Sequence, residues 1–232
     1  MSLALKRAML RYAVDATRNR LVFDLDAVKR LVQDDGVEAS VVWQDMVTAG
    51  LVVPAHFIEE LGTYKVGDHL DWYVTEVGKE FLQRSSDPVT PDDREGFMKL
   101  LRRDPALDPY IEAAVAEALW AYGAGRPIAA IMCLFAAMER MVKAVAEAQG
   151  VPSGGKSINR VFVALGNRME KQAKVMPSVQ AFLSSTFPAV RKARNDAAHS
   201  ADAPDIDKVR VLLCQFVSWY EAAVVLRDRP GG

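Results

Sequence analysis

The sequence has little of what marks secreted or metal-binding proteins. Only two of its 232 residues are cysteines, Cys133 and Cys214, so it has no disulfide framework of the kind that stabilises small secreted domains. Each cysteine lies in an apolar helical pattern, where a free thiol behaves as a small buried hydrophobe. The three histidines, His56, His69 and His199, are scattered and do not form a ligand cluster. We therefore expect no structural metal and no cofactor.

Long apolar runs are also lacking. No run reaches the roughly 18 residues that a membrane-spanning helix needs. At the N-terminus, Lys6, Arg7 and Arg11 interrupt the apolar residues, which is unlike a secretory signal. We therefore expect a cytoplasmic protein that has no membrane partner.

The chain has no strong excess of either charge, because 29 Lys and Arg face 30 Asp and Glu. The two halves differ, however. Residues 1–88 hold 10 basic and 14 acidic residues, whereas residues 89–232 hold 19 basic and 16 acidic ones. A polyanionic partner is therefore expected at the C-terminal half.

The first 86 residues combine helical patterns with two short strands. Apolar periodicity predicts helices at 3–18, at 25–34 after a cap at Asp24, and at 37–49. An extended segment begins at Leu51, and strands at 63–66 and 71–74 surround a Gly67-Asp68 turn before a closing helix from Thr75. This order, with the phrases MVTAGLVV and WYVTEVGKEFL, resembles a winged helix-turn-helix domain, which implies three helices and a small β wing.

Beyond a polar stretch with Pro88 and Pro91, every long segment has helical periodicity. We assign residues 1–86 to the winged-helix-like domain, 87–107 to a linker and 108–232 to a helical bundle. Helices are predicted at about 108–122, 128–149, 158–175, 179–199 and 205–228. The fold class is therefore mainly α, with an N-terminal winged helix and a C-terminal up-and-down bundle.

One segment of the bundle carries residues suited to chemistry. The penultimate predicted helix ends with RKARNDAAH at 191–199, in which four residues separate Arg194 from His199 and Asn195 directly follows the arginine. This pattern, placed before one last long helix, resembles the HEPN family, whose helical domains include many metal-independent ribonucleases. Glu139, on an earlier helix, matches a glutamate that some members carry.

The resemblance implies a chemistry and a partner. His199 would move a proton during RNA cleavage by the 2′-hydroxyl, Arg194 or Arg191 would clamp the phosphate, and Asn195 would orient it by hydrogen bonding. Lys192 and Glu139 are further binding candidates, with Glu139 a partner for one arginine. The resemblance also implies a homodimer formed through the bundle, with two motifs sharing one groove, and an RNA-directed role in a bacterial defence or toxin-like system.

Helix geometry places the two arginines at different angles from His199. Arg191, Asn195 and His199 are spaced i, i+4 and i+8 and share a face, whereas Arg194 and His199 lie about 140° apart on an ideal helix. Arg194 would approach the histidine either through its long side chain or by unwinding of the helix before His199, which Pro204 in the following segment would favour.

Two other functions remain open, and with them whether the chain is an enzyme. The bundle would serve equally as a catalytically silent module that binds nucleotides or proteins, since a fold does not fix an activity. The winged helix would alternatively make the chain a DNA-binding transcriptional regulator. DNA is the less favoured partner, because this domain is acidic and DNA affinity depends on Lys and Arg.

The loop at 150–157, GVPSGGKS, matches the phosphate-binding loop of nucleotide hydrolases. Such a loop follows a β-strand, but the segment before this one is predicted to be helical. We therefore interpret it as a connection between helices.

Overall fold

The structure is a computed structural model. It describes residues 3–18, 23–24, 49, 51–54, 57–58, 63–64, 69–70, 72–74, 76–83, 89–170, 187–199 and 205–228, and singly Arg30 and Met46. In this part of the chain the fold is mainly helical, as predicted.

The N-terminal part contains helix α1, Leu3–Arg18, whose bounds match the prediction. Short strands follow in three antiparallel pairs: β1 (Phe23–Asp24) with β5 (His69–Leu70), β2 (Val52–Pro54) with β6 (Trp72–Val74), and β3 (Phe57–Ile58) with β4 (Thr63–Tyr64). Helix α2, Glu76–Gln83, comes next.

The strand pairing differs from the prediction. The strands at 63–66 and 71–74 were expected to pair with each other around Gly67-Asp68. Instead, Thr63–Tyr64 and Trp72–Val74 pair with segments earlier in the chain. Most of the predicted helices at 25–34 and 37–49 lies outside the described residues, and Asp24, the expected cap of the first of them, belongs to β1.

The predicted linker contains a helix. Helix α3, Arg94–Leu101, starts at Asp93, whose Oδ1 accepts a hydrogen bond from the Gly96 amide at 2.9 Å. Its apolar side chains are buried: Phe97, Met98, Leu100 and Leu101. The segment 94–101 is therefore part of the core and not a solvated connection. The domain division itself stays a prediction.

Five further helices form the predicted bundle. They are α4 (Pro109–Gly123), α5 (Pro127–Ala148), α6 (Ile158–Glu170), α7 (Phe187–His199) and α8 (Ile206–Asp228). Residues 171–186, which include predicted parts of two helices, lie outside the described residues. The loop at 150–157 follows the helix α5, so the strand that a phosphate-binding loop requires is absent there.

Helix α5 lies at the centre of the bundle and contacts α4, α6, α7 and α8. Its first twelve residues carry no charge. Packing on several sides buries a broad set of its apolar side chains: Ala130, Ile131, Leu134, Ala137, Met138, Met141, Val142, Val145 and Ala146. Burial of these apolar side chains is the main contribution to the stability of the bundle.

Helix α8 is long and apolar enough to cross a membrane by length and composition, and it is the one such helix among the described residues. However, 71% of its apolar window is buried inside the protein. That burial is what the core helix of a soluble protein shows.

A polar cluster ties the end of α8 to the α3–α4 connection. Two Arg227 nitrogens donate to the two Asp104 oxygens at 2.9 and 3.1 Å, and the Tyr220 hydroxyl donates to the same carboxylate. Burial alone would raise the pKa of Asp104, but the hydrogen bonds from Arg227 and Tyr220 outweigh it and lower that pKa. The Asp104 side chain is only 6% exposed, so this ion pair is poorly screened by solvent.

Asp104→Asn is expected to lower the free energy of unfolding at pH 7 by about 2–3 kcal/mol, because it leaves the half-buried Arg227 without its bidentate partner. Since the folded-state pKa of Asp104 is lowered, its contribution is complete above its unfolded pKa of roughly 4 and is lost as pH falls through the folded value. Urea unfolding at pH 7 and at decreasing pH measures both effects.

Asp228→Asn is the matched control, because Asp228 pairs with the same arginine at 2.8 Å but is 59% exposed. Its effect should stay within about 1 kcal/mol. Equal losses in the two variants would contradict the role given to Asp104.

Candidate functional site

Helix α7 carries the predicted motif and is held to the core by one apolar side. Phe187, Val190 and Ala193 are buried on that side. The helix is continuous through His199, so the predicted unwinding before the histidine is wrong. Arg191, Asn195 and His199 therefore share one face, and Arg194 lies about 140° from the histidine.

The motif residues differ in exposure. Asn195 and His199 are exposed, whereas Arg191, Lys192 and Arg194 are half-buried. A helix face that presents an exposed imidazole and amide beside a guanidinium is accessible to a phosphate-containing ligand.

Arg194 is positioned by an aromatic ring. Its guanidinium carbon lies 5.6 Å from the centre of the Phe135 ring on α5, and its Nη1 donates to Asn195 Oδ1 at 3.2 Å. The Nε atom is buried, and no group in the described ranges accepts a hydrogen bond from it. Contact with the ring face restricts the guanidinium orientation while other nitrogens stay able to donate.

Phe135 is itself part of an aromatic cluster. Its ring centre lies 6.5 Å from that of Phe187, the first residue of α7. Phe187 in turn stacks on Phe162 of α6, with 4.0 Å between ring centres and 15° between ring planes. The cluster joins α5, α6 and α7 directly beneath the motif, so it fixes where the α7 residues lie.

Arg191 connects the motif to helix α6. Its Nη1 donates to Asn159 Oδ1 at 3.4 Å. Because Arg191 shares a face with His199, this contact places the start of α6 next to the histidine-bearing face of α7.

The other two binding candidates, Lys192 and Glu139, form ion pairs with neighbouring side chains. Lys192 pairs with Asp196 at 3.2 Å, and Asp196 also lies 3.8 Å from Lys208 on α8. Glu139 pairs with Lys143 at 2.7 Å, and its expected partnership with an arginine is not among the ion pairs of the described residues. Both pairs join residues four apart on one helix, and the binding roles of Lys192 and Glu139 stay predictions.

His199 lies at the end of the bundle where α5 begins. Arg210, near the start of α8, is 3.7 Å from Asp92, which also interacts with Tyr122 at the end of α4. The start of α8 is therefore next to the α4–α5 turn. Only residues 200–205 connect α7 to α8, so the end of α7 lies at this same end.

The exposed apolar residues Ile128 and Met132 occupy the beginning of α5, one helical turn apart. Trp120, at the end of α4, is 46% exposed, and Arg126 lies over its ring at 5.3 Å. An apolar surface is thus present at the end of the bundle that carries the motif.

Comparisons add nothing to this geometry: no family model, no curated protein and no solved structure matches the chain. Within the described ranges, no group of three His, Cys, Asp or Glu side chains is arranged to hold a metal ion. The function must therefore be argued from the α7 face and its surroundings.

Sequence reasoning missed Phe135 and Asn159. In the sequence, Phe135 is one of many apolar residues in a helical segment, and Asn159 belongs to no motif. Their roles depend on which helices become neighbours, which the local sequence does not encode.

Phe187→Ala is expected to lower the free energy of unfolding by about 3–5 kcal/mol, because it removes a buried ring that packs on both Phe135 and Phe162. Urea denaturation measures the loss, and amide hydrogen exchange should increase most in α7. Val163→Ala, at a side chain that is 60% exposed on α6, should change stability by about 0.5 kcal/mol or less. A loss under about 1 kcal/mol for Phe187→Ala would contradict the anchoring role of the cluster.

Proposed function

We propose that the protein is a HEPN-like RNA-binding protein that cleaves RNA without a metal ion. The observation that carries the proposal is the single α7 face on which Arg191, Asn195 and the exposed His199 stand together. The Arg-x4-His pattern of the sequence supports the same assignment.

In the proposed reaction, an imidazole nitrogen of His199 removes the proton from a ribose 2′-hydroxyl. The 2′-oxygen then forms a bond to the adjacent phosphorus, and the bond from phosphorus to the 5′-oxygen breaks. The leaving 5′-oxygen takes up a proton from an imidazolium, so that the reaction neither gains nor loses a proton overall. The products are a 2′,3′-cyclic phosphate and a 5′-hydroxyl, and neither water nor an oxidant is consumed.

The arginines have distinct tasks in this proposal. Arg191, on the histidine's face, contacts the reacting phosphate and stabilises the charge that grows on its oxygens. Arg194, oriented by Phe135, binds a neighbouring phosphate, and Asn195 orients one of these groups by hydrogen bonding.

Purified protein in EDTA should cleave single-stranded RNA, and His199→Ala should lower the rate by about 10²–10⁴-fold, because general acid–base catalysis is lost. Arg191→Ala should reduce kcat more than Arg194→Ala, which should mainly weaken RNA binding. Lys99→Gln, at an exposed position on α3, is the control and should cleave normally.

Wild-type protein that binds RNA but leaves it intact would overturn the catalytic part. The chain would then be better described as a catalytically silent binding module. The partly covered Arg194 guanidinium is the observation that favours this alternative.

We further propose that the protein acts as a homodimer formed through the bundle. The reaction needs one group to accept a proton and another to supply one, and each chain offers a single His199 in its motif. The exposed apolar residues at the same end of the bundle support this proposal, because burying them between two copies would bring the two motifs close to each other.

The double substitution Ile128→Glu and Met132→Glu is expected to yield monomers in sedimentation-velocity experiments, because it places charges in the apolar interface. RNA cleavage should fall with dimer content. Val163→Glu, on the exposed side of α6, should leave the sedimentation coefficient unchanged. A double variant that remains dimeric would exclude this surface as the interface.

For the N-terminal part, we propose a winged-helix domain over residues 1–86 that docks proteins. Strands β4, β5 and β6 pair with β3, β1 and β2, respectively, and this pairing supports a small wing. Its excess of acidic residues makes DNA a less suitable partner. By analogy with the family, the setting would be the cytoplasm of a bacterium and a defence or toxin-like response.

A further inference from the structure

Charge is unevenly distributed within the bundle. Residues 148–195 contain eight Lys and Arg but only one acidic residue, Glu170. Outside this range, several basic side chains have carboxylate partners close by: Arg102 with Glu112, Arg103 with Glu80, Arg140 with Asp108, Lys143 with Glu139, and Arg227 with Asp104. The sequence from 148 to 195 thus has an excess of positive charge, and within it Lys192 pairs with a carboxylate, that of Asp196.

Three of these cations belong to α6 and the loop before it. Lys156, Arg160 and Arg168 are exposed, and none of them forms an ion pair within the part of the chain that the structure describes. Their charges are therefore available to an anionic ligand.

Helix geometry relates two of these cations to the motif. The buried side of α6 is defined by Val161 and Leu165. Asn159 and Arg160 are both exposed and lie about 100° apart around the helix, and Asn159 contacts Arg191 of α7. Lys156 precedes the helix by less than one turn. A basic strip therefore runs from Arg191 across Asn159 to Arg160 and Lys156.

We infer that this basic strip, Lys156 and Arg160 together with Arg191, is a phosphate-binding track for single-stranded RNA that leads to the α7 motif. The inference rests on the proposed function for its ligand, because a track continuous with an RNA-cleaving face would bind the backbone of the same strand. Val163, 60% exposed near Asn159 and Arg160 on the helix, provides an apolar contact for a base beside the strip. Arg168 lies on another side of α6 and is not part of the track.

The track makes a quantitative prediction about salt. Each cation that meets a phosphate of a single strand releases condensed counterions, so the slope of log K against log salt concentration changes by about 0.7 per contact. Removing Lys156 and Arg160 should therefore reduce the magnitude of that slope by about 1.4.

The experiment measures fluorescence anisotropy of a labelled single-stranded RNA of about 20 nucleotides at several salt concentrations, with His199→Ala protein so that the RNA stays intact. The strip variant carries Lys156→Gln and Arg160→Gln in addition to His199→Ala. These two substitutions should weaken RNA binding about tenfold near 0.1 M salt and reduce the magnitude of the slope by the amount given above. The charge-matched control adds Lys99→Gln and Arg11→Gln, both at exposed positions outside the strip, and should retain the affinity and slope of its parent.

The outcomes separate the track from the proposed catalysis. If the wild type cleaves RNA but the strip variant keeps the parent slope, the track is excluded and the catalytic proposal stands. If the magnitude of the slope falls as predicted in the strip variant while the wild type cleaves nothing, the track stands and the catalytic proposal fails. Equal losses in the strip variant and the control would overturn the track, because net charge alone would then explain binding.

Discussion

The burial of helix α5 is the constraint on which the rest of the bundle depends. A 22-residue helix whose first twelve residues carry no charge must be covered on several sides, and α4, α6, α7 and α8 provide that cover. The covering helices have little freedom in how they are rotated, since each must turn its own apolar side toward α5. This rotation leaves Arg191, Asn195 and His199 on the outer part of α7, and it places Phe135 against Arg194.

Much of the helical architecture could be predicted from the sequence, because apolar periodicity is strong wherever a helix packs along most of its length. The bounds of α1, α4, α5 and α8, the start of α6 and the end of α7 follow from that signal to within about one residue. The strand partners and α3 could not be predicted in this way. A strand of two or three residues is defined by a distant partner, and α3 lies in a polar stretch whose few apolar residues acquire meaning only when the core buries them.

For the candidate site, the sequence likewise predicts which residues share a helix face but not which side chains they contact. Motif spacing selected Arg194, Asn195 and His199, and helix geometry alone placed Arg191 on the histidine's face. The unwinding before His199 was wrong, because Pro204 restricts directly only the residue before it, and His199 is five positions away. The contact of Arg191 with Asn159 depends on how two helices pack against each other. The pairing of Glu139 with Lys143 depends on which nearby cation reaches the carboxylate first. The sequence pattern specifies neither of these.

The chemical identity of the cleavage products tests the central claim most directly. If His199 activates a ribose 2′-hydroxyl, mass spectrometry of products formed in EDTA should show 2′,3′-cyclic phosphate and 5′-hydroxyl ends, and a single 2′-deoxy substitution should block cleavage after that nucleotide. Products with a 3′-hydroxyl and a 5′-phosphate would contradict the account. They form when water attacks the phosphorus, whereas in the proposed reaction the ribose 2′-hydroxyl attacks it.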